Sequence, residues 1–174
     1  VSSLGKGITG GYLPLSATVV GQSELLAVGA RRLADIAQFD ASISDAYNSP
    51  GYWDFLTVRG FVIDNRFNYR RDGLPINAET PIPLDNKAGV EVLKGISGMQ
   101  AGVSSPGGLV NYVVKRPLDV ALNSAFLQWQ SESSVLASAD LSRRLGETGA
   151  VGLRLSAAYE TLHPDIEAAD GNRW

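Results

Sequence analysis

The sequence has no cysteine, a single histidine and a single methionine in 174 residues. Without cysteine there is no disulfide and no thiolate metal site, although the lack of cysteine fixes no compartment. The histidine, His163, has no second His, Cys or carboxylate cluster at ligand spacing, only Asp165 nearby, so no metal centre is expected. A catalytic triad lacks a second base to build on, and no G-x-S-x-G elbow occurs, so enzyme chemistry has little support. No apolar run approaches the roughly 20 residues of a membrane-spanning helix. Basic runs are missing too: Lys and Arg are scattered, the net charge is -3 and the pI is near 5.1, which argues against nucleic acid as a partner. Val1-Ser2-Ser3-Leu4-Gly5-Lys6 shows no basic stretch leading into an apolar core, so no signal peptide is read there, and an exported protein would carry its leader elsewhere.

What is present suits a globular core: 44% of residues are hydrophobic and 19% charged, enough for one domain with an appendage. Gly5-Lys6-Gly7-Ile8-Thr9-Gly10 meets the G-x-G-x-x-G spacing of a nucleotide loop. It has no strand before it, and Gly11-Tyr12-Leu13-Pro14 stands where a helix should begin, so it reads as a lead-in. Ser16–Val20 predicts a strand. Ser23–Gly29 predicts a short helix capped by Ser23 and stopped by Gly29, and Leu33, Ile36 and Ala37 predict a second helix with Asp35 on its outer side. Phe55–Phe61 alternates as a strand, Asp72-Gly73 signals a turn, and Pro81, Pro83 and Asp85 introduce a short helical turn.

Between these lies Ser44–Trp53, turn-rich and carrying Tyr47, Tyr52 and Trp53. Rigid aromatic surfaces beside Asn and Ser suit a ligand-contacting loop. Tyr52 and Trp53 read equally well as core anchors, which leaves Tyr47 as the better candidate.

The chain is organised around Val90–Pro117. Val90-Glu91-Val92-Leu93-Lys94 and Leu109–Lys115 are rich in β-branched and aromatic residues, and the glycine-studded span Gly95–Gly108 joins them as strand, tight loop, strand. After Pro117 the texture changes. Ala125-Leu127-Trp129, Val135-Ala137-Ala139-Leu141 and Val151-Leu153-Leu155-Ala157-Tyr159 each alternate with polar or charged residues. Segments of about ten residues with one apolar face are what transmembrane β-strands require, although a soluble meander has the same period. Gly146–Gly149 makes the turn between the second and third segments.

These features resemble the plug domain of TonB-dependent outer-membrane receptors, the siderophore-receptor branch in particular. The resemblance rests on Glu91-Val92-Leu93, Lys94-Gly95, Gly102, Ser105-Pro106-Gly107-Gly108, Asn111 and Lys115-Arg116-Pro117, with support from Leu33–Ala37, Arg59-Gly60-Phe61 and Asp72-Gly73-Leu74-Pro75. Ile96 departs from the usual proline, Ala101 from the usual aromatic, and Asp40-Ala41-Ser42-Ile43 from the usual turn.

The resemblance implies an α+β plug domain with a small mixed β-sheet and short helices, followed by antiparallel β-strands of an incomplete transmembrane β-barrel. The plug would span residues 1–117, and residues 118–174 would supply about three barrel strands, making the chain a fragment of a receptor roughly four times longer by the family's strand count. It further implies a gate, not an enzyme, that helps bind a ferric siderophore at the outer membrane of a Gram-negative bacterium, with no cofactor beyond the iron of its cargo. The TonB–ExbB–ExbD complex would pull on a segment upstream that is not recognisable here, and barrel strands would meet outer-membrane lipid. Cobalamin, a glycan, or a free-standing soluble binding module stand as alternatives. Carried over by position, ligand-facing loops are Tyr47, Asn48, Asn65, Arg66, Gln100 and Ala101. Arg59, Glu91 and Lys94 match positions that lock plug to barrel by ion pairs, and Gly95, Gly102, Pro106, Gly107 and Gly108 shape the loop.

Overall fold

The computed structural model describes residues 16–47, 54–95, 106–129, 134–146, 148–163 and 170–174. They fall into two compact units, Val1–Val114 and Lys115–Trp174. No described helix is long and apolar enough to cross a membrane.

The first unit runs β1 (Ser16–Gly21), α1 (Gln22–Ala27), a 3-10 helix (Leu33–Phe39), β2 (Ile43–Asp45), β3 (Leu56–Val58), β4 (Phe61–Val62), β5 (Tyr69–Arg71), β6 (Leu74–Pro75), β7 (Lys87–Lys94) and β8 (Gly108–Val114). Its main sheet has the order β1-β7-β8-β5-β6 and is antiparallel except where β5 lies parallel to β8, so it is mixed. β2, β3 and β4 form a second, smaller sheet. The central pair β7 and β8 is covered on both faces over most of its length, which is why these strands lack the apolar–polar alternation of a half-exposed strand. On one face Val90 sits opposite Tyr112 and Val92 opposite Val110. These four join Leu25, Leu33, Ile36, Leu56, Val58 and Ile63 in one core, each side chain contributing about 1.5–3 kcal/mol by leaving water. On the other face Glu91 sits opposite Asn111 and Leu93 opposite Leu109, all four buried.

Several local expectations change. Helix α1 begins before Ser23, at Gln22, and its amino end is closed by the Glu24 carboxylate reaching back to the Gly21 N–H at 2.7 Å. The second helix is a 3-10 helix; Asp35 is its cap, accepting from the Arg31 and Arg32 N–H groups at 2.7 and 2.8 Å, and not merely an outward residue. Phe55–Phe61 is a hairpin instead of one strand: β3 and β4 pair across a two-residue turn at Arg59 and Gly60, where Arg59 adopts φ 51°. Positive φ at both turn positions is the geometry whose twist matches paired strands. Before β7 there is a single turn, closed by Lys87 N–H on the Leu84 carbonyl at 2.9 Å.

The second unit is an open antiparallel sheet of β9 (Leu122–Trp129), β10 (Val135–Leu145), β11 (Val151–Leu162) and β12 (Gly171–Arg173), in the order β12-β11-β10-β9. The sequence pointed to about three strands here, and β12 is a short fourth. Register makes the faces distinct. One face carries Leu127 beside Ala137 and Tyr159, Ala125 beside Ala139 and Ala157, then Leu141 beside Leu155, and it leaves Leu127 and Trp129 74% and 79% exposed. The opposite face carries Ser124, Ser138, Asp140, Ser142, Arg154, Ser156 and Glu160.

Across that polar face lies residues 115–119, and every residue of this strap has its own attachment. Lys115 pairs with Asp140 at 2.9 Å, and the Arg116 carbonyl accepts from Arg154 Nη1 at 2.8 Å. Pro117 sits so close to Gly152 that a Cβ there would lie 2.6 Å from its ring. The Leu118 N–H donates to Ser142 Oγ at 2.8 Å, and Asp119 takes Arg144 at 2.6 Å. Asp140 is held on its other side by a two-pronged contact from Arg154, Nε at 2.9 Å and Nη2 at 2.6 Å.

Candidate functional site

Because β7 and β8 carry the sequence signature, they define the site. Their loop end closes through the Gly95 N–H on the Gly107 carbonyl at 3.1 Å. Gly108 takes φ +145°, and a Cβ there would run into the Leu93 carbonyl oxygen, so a residue with a side chain would force the two strands apart. Asn68, fully buried, ties β8 from the side: its amide donates to the Gly108 carbonyl, and its own carbonyl accepts from Val110 N–H at 2.8 Å. Gly95, Gly107 and Gly108 close this strand–loop junction, Pro106 is exposed beside it, and Gly102 lies outside the described residues.

Two polar clusters flank this hairpin. At the loop end of β7 the Lys94 ammonium meets the Asp40 carboxylate, which also accepts from Thr18 Oγ1 in β1 and from the Ser42 N–H and hydroxyl at 2.9 and 2.7 Å. Desolvation acts to raise the Asp40 carboxyl, but the hydrogen bonds from Lys94, Thr18 and Ser42 outweigh it and hold the group well below the ordinary carboxylate range. Further along, Asn111 donates to Glu91 Oε2 at 2.8 Å and accepts from the Gly73 N–H at 2.9 Å. Asp72 completes that turn, accepting from Val114 N–H at 3.0 Å.

The residues singled out from sequence fall in different places. Tyr47 is 61% exposed, edge-on to Phe55 with ring centroids 5.3 Å apart. Arg66 is exposed, beside Asp64 and over the Phe67 ring. Asn65 is buried, its amide on the Ala78 carbonyl at 2.6 Å, so it fastens a loop from within. Arg59 is exposed at the β3–β4 turn, with no carboxylate in ion-pair range among the described residues. Glu91 and Lys94 hold Asn111 and Asp40 inside the unit. Asn48, Gln100 and Ala101 lie outside the described residues.

Sequence reasoning passed over Asp40, although it had marked that turn as altered. It also passed over Lys87, which lines a cleft of about 370 Å³ with Arg71, Thr80 and Asn86. Burial, and then the nearby Arg71 charge, bring the Lys87 ammonium down to about 8. Among the described residues no group of His, Cys, Asp and Glu is placed to hold a metal ion.

Residues 12–109 match the TonB-dependent receptor plug domain family. The ferripyoverdine receptor of Pseudomonas aeruginosa is 30% identical over 164 residues, 86% of this chain and 19% of that protein. The crystal structure of the ferripyoverdine receptor of the Pseudomonas aeruginosa outer membrane, bound to ferripyoverdine, superimposes with a TM-score of 0.76 at 28% identity over 86% of this chain and 20% of that one. The ferric preacinetobactin receptor of Acinetobacter baumannii shares the fold, with a TM-score of 0.80 at 22% identity over 89% of this chain and 24% of that one. The chain thus spans about a fifth of the length of the curated ferripyoverdine receptor it matches. With its mixed sheet, glycine-closed β7–β8 hairpin and open antiparallel strands, the chain belongs to the TonB-dependent receptor plug domain family.

Proposed function

We propose that this chain is the plug and adjoining wall of an outer-membrane receptor that imports a ferric siderophore, with residues 1–117 as plug and 118–174 as barrel strands. The observation that carries the reading is the continuation of a plug-family sequence into strands with one apolar and one polar face, the pattern of a wall between lipid and an aqueous lumen. Two relatives whose names specify ferripyoverdine lean the cargo toward a ferric chelate of that kind. Plug and wall act as a gate and not as a catalyst, and the energy for opening comes from the TonB–ExbB–ExbD complex.

In this reading Tyr47 and Arg66, exposed on their loops, contact cargo together with Asn48, Gln100 and Ala101. With Ala at 101, aromatic contact passes to Tyr47. Arg59, exposed and without an acidic partner among the described residues, is the stronger candidate for an ion pair to the barrel wall, since Lys94 already holds Asp40.

Tryptophan fluorescence of a full-length receptor carrying this sequence, titrated with ferric pyoverdines, ferric catecholates and cobalamin, tests the reading. Saturable quenching by a ferric chelate and none by cobalamin is expected; no response to any ferric chelate overturns it.

A further inference from the structure

On the apolar face of the second unit one position breaks the pattern. The residues that share this face through the register are Asn123, Ala125, Leu127 and Trp129 of β9, Val135, Ala137, Ala139, Leu141, Arg143 and Leu145 of β10, and their partners Val151 to Thr161 on β11. Arg143 is the one charged residue among them. Its guanidinium donates to Asn123 Oδ1 at 3.0 Å and to the Ser142 carbonyl at 3.3 Å, and no carboxylate among the described residues pairs with it. The neighbouring Arg144, on the opposite face, has Asp119. A guanidinium on an apolar wall, held by neutral acceptors and without a carboxylate among the described residues, is free to take an anion.

We propose that Arg143, with Asn123 orienting it, binds the phosphate of an anionic phospholipid headgroup. The proposal rests on the reading of β9–β11 as lipid-facing wall. Arg143 lies eight residues beyond Val135, which pairs with Trp129 at the other end of the face. At about 3.3 Å per residue and a tilt near 40°, that is roughly 20 Å along the membrane normal, against an apolar band about 25 Å tall. The charge therefore falls near the lower edge of the band, within reach of the headgroups for a side chain that extends its stem along apolar surface. Trp129 marks the opposite edge, where aromatic side chains favour the interface. The Trp129 end carries the connections 130–134 and 163–170, and the second of these is longer than the turn 146–150 at the Arg143 end. Outer-membrane barrels keep short turns on the periplasmic side. The Arg143 end then meets the phospholipid leaflet, and its planar fork matches a phosphate in two-pronged fashion.

The test uses a full-length receptor carrying this sequence in nanodiscs of phosphatidylcholine with and without phosphatidylglycerol. Native mass spectrometry counts retained phosphatidylglycerol, and brominated acyl chains probe Trp129 by the quenching lost in Trp129→Phe. Wild type and Arg144→Gln should retain phosphatidylglycerol, Arg143→Gln should retain several-fold less, and Arg143→Lys should keep part of it as a point charge. Quenching at Trp129 should survive in every Arg143 variant. Equal retention in Arg143→Gln with quenching intact overturns the phosphate site and leaves the wall reading standing. Absence of quenching in the wild type overturns the wall reading and the site with it.

Discussion

Lys94 and Asp40 stand 54 residues apart in sequence, yet their charged groups touch, with side chains only 11% and 13% exposed. One carboxylate thereby joins the end of β7 to β1 through Thr18 and to the turn before β2 through Ser42.

Replacing Asp40 by Asn should cost about 2 kcal/mol, since it leaves the Lys94 ammonium largely desolvated with no counter-charge. The Asp40 carboxyl titrates lower in the folded state than in the unfolded chain, so its contribution is complete above the unfolded value of about 3.8 and fades as pH falls toward the depressed folded value. The gap in stability between wild type and Asp40→Asn, followed by urea unfolding, should be level from about pH 5 to 8 and narrow below about pH 4.

Asn111→Leu should be more damaging than its size suggests. It removes a donor from the buried Glu91 carboxylate and the acceptor for Gly73 N–H together, for a loss of about 2–4 kcal/mol. Adding Glu91→Gln should restore part of that loss, because a neutral amide suffers less from burial. A double-mutant cycle reads the coupling between the two positions.

Lys87 gives a signature at alkaline pH. Its folded-state value near 8 lies below the ordinary 10.5, so the unfolded chain binds the extra proton between them and stability should rise with pH from about 8. Tyr69 and Tyr112 act oppositely: burial pushes both hydroxyls above the ordinary 10.0, and stability should fall once pH passes that value. Denaturant midpoints should therefore peak near pH 10. Lys87→Met should flatten the rise and leave the fall.

Arg154→Lys should destabilise the second unit nearly as much as Arg154→Ala. Lysine cannot reproduce the two-pronged contact with Asp140 while also reaching the Arg116 carbonyl. Thermal unfolding of the receptor in detergent, comparing the two variants, measures this directly.

The sequence made β7, β8 and the three long strands of the second unit legible because in each the packing demand is written locally. β7 and β8 carry β-branched runs closed by glycine, and β9 to β11 a period-two alternation with few exceptions. The Arg59–Gly60 turn was hidden because a non-glycine residue takes positive φ there, which propensity counts against. The Asp40–Lys94 contact was hidden because nothing local links residues so far apart. Asn65 looked like a loop residue facing cargo, and tertiary packing turned it inward onto Ala78. The signature glycines, by contrast, report backbone approach alone, and so they spoke for the fold and not for the cargo.

The strap at 115–119 alternates in the part of each residue it uses. Lys115, Pro117 and Asp119 attach by their side chains, Arg116 and Leu118 by main-chain atoms. Tolerance to substitution should therefore alternate over 115–118: Lys115 and Pro117 are restricted in chemistry, Arg116 and Leu118 are open to drift, and Asp119, with its side chain 93% exposed, is held only weakly. Gly152, facing Pro117 from the neighbouring strand, shares the restriction, so a deep mutational scan would display the extended course of the strap as a two-residue rhythm of intolerance.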